Sequence, residues 1–167
     1  VTITTDSTQT DTSLALAVNA GTSFLDAAGN PISGSNLNVN VAYFSGSTSA
    51  SLAAFPGGLA QTNVTNPDGS VSDVVFEPLA FSDVNMDIDG TEVKQFSDSI
   101  DIVFKVDTAL INPDTGLKYA VGDSVELWTN DSSTVWTFES YATIEQGVNG
   151  LEIIYGTDHL SGKAPMK

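Results

Sequence analysis

Residues 36–44 read NLNVNVAYF. Leu37, Val39, Val41 and Tyr43 fall at alternate positions, and Asn36, Asn38 and Asn40 stand on the other side of the alternation. Successive side chains of a strand point to opposite faces, so this stretch sets an apolar row against the inside of a sheet and an amide row outside. The pattern recurs at 81–88 (FSDVNMDI), which turns Val84, Met86 and Ile88 inward. It recurs again at 100–106 (IDIVFKV), with Ile100, Ile102, Phe104 and Val106 inward. Apolar residues rarely repeat at three- and four-residue spacing, and only 49–54 (SASLAA) suggests a helical turn.

Turn signals separate the apolar runs. They are Ala28-Gly29-Asn30-Pro31, Pro67-Asp68-Gly69, Asp89-Gly90, Pro113-Asp114-Thr115-Gly116 and the stretch from Gly147 to Gly150. Asp-Gly favours a tight turn with positive φ at both central residues, which predicts a hairpin of 86–88 with 91–93. Further strands are expected at 14–18, 71–76, 124–129, 135–144 and 151–155. Roughly nine to eleven short strands in a chain of 167 residues predict an all-β fold, an antiparallel β-sandwich of Ig-like or Greek-key type. A closed barrel is the alternative. Residues 14–167 are expected to form a single sandwich domain, and the polar run TTDSTQTDTS at 4–13 makes 1–13 an exposed lead-in or linker.

Charge narrows the partners. Twenty-one acidic residues against five lysines and no arginine give a formal net charge of −16. That field repels phosphate backbones and anionic membrane surfaces, so nucleic acid is excluded as a partner. Cations, neutral glycans and proteins remain. The chain has no cysteine, which removes disulfides, thiolate nucleophiles and cysteine zinc sites together. No apolar stretch is long enough to predict a transmembrane segment.

Three segments carry candidate chemistry. In 83–90, Asp83, Asn85, Asp87 and Asp89 alternate along one strand face and resemble the start of a calcium loop. An EF-hand loop starting at Asn85 would need Glu at its twelfth position, where Phe96 stands. A solvated strand face ending in a hairpin is the plain reading. Because like charges along a strand repel, calcium is nevertheless the one cofactor to expect there. The second segment holds Trp128, Trp136 and Tyr141. A hairpin setting Trp128 opposite Trp136 would make an aromatic platform for sugar rings, while two tryptophans in a sandwich of this size are more often core. Val125 and Leu127 point away from Trp128, so one face of that strand needs a cover from elsewhere in the chain. The third is His159 in Thr157-Asp158-His159-Leu160-Ser161. Adjacent strand residues face opposite ways and no Gly-x-Ser-x-Gly elbow exists, so a structural hydrogen bond is expected there and not a catalytic triad.

A resemblance extends over 36–161. Ser51-Leu52-Ala53-Ala54-Phe55-Pro56-Gly57-Gly58-Leu59, the strand and turn from Met86 to Gly90, and Tyr119-Ala120-Val121-Gly122-Asp123 occur in order. Val125-Glu126-Leu127-Trp128, Val135-Trp136-Thr137-Phe138-Glu139, Gly150-Leu151 and His159-Leu160-Ser161 follow. In this the chain resembles β-sandwich modules of secreted and surface-attached bacterial multidomain proteins, loosely ZU5-like. The resemblance implies a framework of recurring residues with no active site. It departs after Ser161, where related modules often place aromatic residues and this chain has Gly162-Lys163-Ala164-Pro165, so the resemblance leaves the closing strand open.

The expected function is a non-enzymatic, extracellular bacterial module for interaction, adhesion or spacing in a larger surface protein. Its expected partners are neighbouring domains or surface proteins, with the module itself monomeric. A carbohydrate-binding surface protein using the aromatic platform is the alternative, and a small carboxylate-dependent hydrolase or lyase is the enzymatic rival.

Overall fold

The computed structural model describes residues 2–4, 14–130, 135–148 and 150–167. The lead-in expected over 1–13 lies outside the described residues except for 2–4. The strands of the first third are β1 (Thr2–Thr4), β2 (Leu14–Ala17), β3 (Phe24–Leu25) and β4 (Leu37–Ser45), followed by the short helix α1 (Ser49–Ala53). Next come β5 (Ala60–Thr65), β6 (Val71–Val75), β7 (Ala80–Ile88), β8 (Thr91–Glu92) and β9 (Gln95–Lys105). The chain finishes with β10 (Ser124–Asn130), β11 (Thr137–Thr143), β12 (Glu145–Gly147), β13 (Gly150–His159) and β14 (Gly162–Met166). The number exceeds the expected nine to eleven because several strands span only two or three residues.

Two antiparallel six-stranded sheets form the body. One runs β1-β2-β9-β13-β12 with β3 on β9, and the other runs β11-β10-β14-β7-β4 with β8 on β7. The inward residues of 81–88 and 100–106 meet between them: Val84, Met86 and Ile88 of β7, Ile100, Ile102 and Phe104 of β9, and Val106 just beyond β9 are all buried. Each such side chain contributes about 1.5–3 kcal/mol of burial. β4 pairs with β7 along its whole length and forms an edge, so Val39, Val41 and Tyr43 are only partly buried against this core. The Asp89-Gly90 hairpin forms as predicted, with Ile88 opposite Thr91 and positive φ at both turn residues.

A second apolar cluster lies on the other face of the second sheet. It joins Phe81 of β7, Trp128 of β10 and Ala164 and Met166 of β14 to Phe55, Val64, Phe76 and Trp136. The β5–β6 hairpin and the turn after α1 supply the cover that Trp128 required. Thr48 caps α1 by accepting from the Ser51 N–H, and Phe55 just beyond the helix stacks on Trp136 at 4.8 Å. The hairpin closes through Gly69, whose N–H donates to Asn66 O and whose φ is 81°.

β14 is central although it contains proline. Leu79 N–H donates to Pro165 O. In an antiparallel strand both backbone groups of one residue face the same neighbour, so the missing Pro165 N–H falls on the β7 side. The ladder to β10, from Glu126↔Met166 to Asn130↔Gly162, is therefore preserved.

Candidate functional site

The principal polar cluster among the described residues gathers around Lys163, whose side chain is fully buried. Its Nζ donates to Thr129 Oγ1 at 3.1 Å and to Glu139 Oε1 at 3.2 Å, and it lies 3.1 Å from His159 Nε2. The ammonium also sits 5.0 Å from the centre of the Tyr155 ring. Tyr155 OH donates to Glu139 Oε2, and His159 Nε2 is 3.3 Å from Glu139 Oε1. On its other side His159 Nδ1 is 3.0 Å from Asp158 Oδ1. That His159 hydrogen bond is the leading cause holding the Asp158 carboxyl below the ordinary carboxylate range.

Local irregularities aim these groups. Along β10 and β11 the register runs Leu127↔Ser140 and then Trp128↔Phe138, which leaves Glu139 as an extra residue on β11. A bulge of this kind re-aims a side chain, and here it accompanies the contact of Glu139 with Lys163 and Tyr155. The β13–β9 register also shifts between Thr157 and His159. Lys163, Glu139 and Thr129 belong to the second sheet, whereas Tyr155 and His159 belong to the first, so the cluster joins the two sheets. Chemically it opposes an ammonium to a carboxylate through a shared imidazole, and Ser161 Oγ is engaged with Thr129 Oγ1 at 2.6 Å.

The structure disperses the sequence-predicted sites. Trp128 sits opposite Phe138, not Trp136, and both tryptophans are buried. Their indole N–H groups donate inward, Trp128 to Glu126 Oε2 and Trp136 to Pro56 O, each at 3.0 Å. Tyr141 is exposed and tilts against Phe138. The expected aromatic platform is therefore corrected: its two indoles complete the second apolar cluster, because the β5–β6 hairpin covers their face.

Asp83, Asn85 and Asp87 alternate along one face of β7 and Asp89 follows in its turn, and amides and backbone N–H groups engage these side chains. Asn85 donates to Asp83, Asn38 and the Gly90 N–H to Asp87, and Asn36 and the Ser35 N–H to Asp89. Among the described residues no three acidic or histidine side chains gather as a metal site. The amide row of β4 thus answers the carboxylate row of β7 that it pairs with.

Asp89 also carries a pH prediction. Hydrogen bonds, first from Ser35 N–H and then from the Asn36 side chain, hold its carboxyl below the usual range. A lowered folded-state value stabilises the fold above the unfolded pKa of about 3.9, and that gain is lost as pH falls through the folded value. Asn tolerates the positive φ of this turn. Asp89→Asn should therefore be less stable than the parent at pH 7, with the gap closing below about pH 4 in thermal melts. A gap that stays constant across this range would rule out the charge as its cause.

A cleft of about 1040 Å³ opens beside the polar cluster. It lies between Ser82, Asp83 and Asn85 of β7 and the crossover that carries the chain from β13 to β14 through Leu160, with Lys94 on a third side. The β14–β7 ladder has one pair, Lys163↔Ser82, and beyond it the two strands part. Leu160 N–H donates to Lys94 O, which ties the crossover to the β8–β9 connection and frames the opening.

Sequence reading did not single out Lys163 or Glu139. The available signal was a lone lysine inside the short closing run GKAPM. Comparisons with known protein families, with curated proteins and with solved structures find no match to this chain.

Proposed function

We propose that this chain is a non-catalytic β-sandwich module that serves interaction, adhesion or spacing within a larger bacterial surface protein, outside the cell. The Lys163 cluster carries this reading. Its acid–base groups, Glu139, His159, Lys163 and Tyr155, are spent on one another across the two sheets, in the manner of a structural tie. The ZU5-like order of motifs and the net charge of −16 support the same reading, since strong negative charge keeps an exposed module soluble. No helix among the described residues is long and apolar enough to cross a membrane.

Two measurements test it. The full chain, incubated with panels of polysaccharides, glycosides and esters, should release no product. An antibody to the chain should label intact cells of the source organism, with the label removed by external protease. Turnover lost on His159→Gln, or labelling only after lysis, would overturn the proposal.

A further inference from the structure

We propose that the cleft between β7 and the 158–162 crossover binds a short saccharide, either neutral or carrying an amino group. This rests on the interaction-module reading and gives that module a ligand class.

The first ground is the opening in the sheet. Ile88 pairs with Thr91, and Met86 O accepts from the Val93 N–H. Strand alternation then turns the N–H and C=O of Val84 to the same side, away from β4 and toward the cleft. No strand among the described residues pairs with Val84 there. Ser82, next in that alternation, also lines the cleft, and its hydroxyl is buried with no hydrogen-bond partner among the described residues. Buried polar groups without partners are uncommon and costly, so unmet groups converging at one opening point to a ligand that meets them. A saccharide hydroxyl is donor and acceptor at once and serves either kind. A peptide strand would need a run of open backbone, whereas here only Val84 lies between two residues already paired.

Charge and shape narrow the class. Lys94 and Glu92 pair at 2.5 Å and neutralise each other, which leaves Asp83 and Asp158 as the other carboxylates of the lining. Uronates, sulfated sugars and phosphates meet repulsion there, and an amine is attracted. Asn85, Gln95 and Asn130 add amides suited to hydroxyls. Half-buried Phe44 lies on the wall, stacked on Phe81 at 4.4 Å, and presents an apolar surface for the C–H face of a pyranose. The volume of about 1040 Å³ accommodates a small ligand of this kind.

The full chain should be screened on a broad array of neutral, aminated, uronic and sulfated glycans. Saturation-transfer NMR should follow with cellobiose, the glucosamine disaccharide and digalacturonate as probes. Retention of neutral or aminated glycans is expected, with digalacturonate at least about tenfold weaker. Ser82→Ala should weaken binding about tenfold while leaving the melting temperature unchanged or raised, because it deletes an unmade hydrogen bond. Asp83→Asn should weaken the glucosamine disaccharide more than cellobiose. An array with nothing retained, or binding indifferent to both substitutions, overturns the saccharide site and leaves the module reading standing. Cleavage of a bound probe during the titration would instead end the non-catalytic reading and leave the site in place.

Discussion

Lys163→Met should cost about 3 kcal/mol of folding stability, and adding Glu139→Gln in the same chain should return part of that loss. Lys163 is wholly buried, and its ammonium faces Glu139, His159 and Thr129. Removing it leaves the Glu139 carboxylate against the Tyr155 hydroxyl with no cation inside the sandwich. Breaking one side of a buried pair costs about 3–5 kcal/mol, and the low end applies because the Glu139 side chain is 24% exposed. Neutralising Glu139 as well removes the uncompensated charge, which is why the double variant should exceed the single one. Urea denaturation of the two single variants and the double variant measures this coupling directly. Additive losses would show that Lys163 and Glu139 do not act as a pair, and with that the structural tie behind the proposed function would fall.

The second large effect concerns Trp136. Trp136→Ala should destabilise the fold by about 3–5 kcal/mol, as truncation of a large buried aromatic does. Trp136 stacks on Phe55 and donates its indole N–H to Pro56 O, so it fastens the segment after α1 to the second sheet. The loss should reach the β5–β6 hairpin first, because Phe55, Val64 and Phe76 share that cluster. Hydrogen exchange should therefore quicken in 60–75 before it does in β9 or β13. In the parent chain both indoles should emit at the short wavelengths of buried tryptophan, with no red shift to the emission of a water-exposed indole. Red-shifted emission that responds to sugar would restore the exposed platform and contradict the packing of the second cluster.

Much of the fold was legible in period-two patterns. Residues 84–88 and 100–106 alternate in sequence and bury the expected members, because a strand with one wet face must write its burial into every second residue, whereas on the edge strand β4 Val39, Val41 and Tyr43 are half-buried and Leu37 is exposed. The Asp89-Gly90 hairpin was legible for an equally local reason, since two consecutive positive φ values select for those residues. The closing strand was not. Pro165 and Lys163 argue against a central strand one residue at a time, and only the pairing geometry shows that the proline spares the β10 ladder and that the lysine finds Glu139.

The candidate site was less legible than the fold. His159 and the aspartates drew attention by residue type, yet their partners lie in other strands. Glu139 reaches Lys163 at a one-residue register shift, which a periodic reading cannot detect because the shift is defined against the neighbouring strand. The tryptophans show the same limit from the other direction. The strand of Trp128 needed a cover on both faces, and nothing local says that the hairpin after Ser49–Ala53 folds over to provide it.

The amino-acid sequence by itself determined an all-β, strand-and-turn chain of strong negative charge, because alternation, turn chemistry and charge are properties of neighbours along the chain. Tertiary structure alone decided that β7 and β10 carry apolar clusters on both faces of their sheet, that Lys163 and Glu139 meet, and that β7 and β14 part to open a cleft. Those outcomes depend on register and on the docking of segments far apart in the chain, where the interaction energy belongs to the pair and neither partner carries it alone.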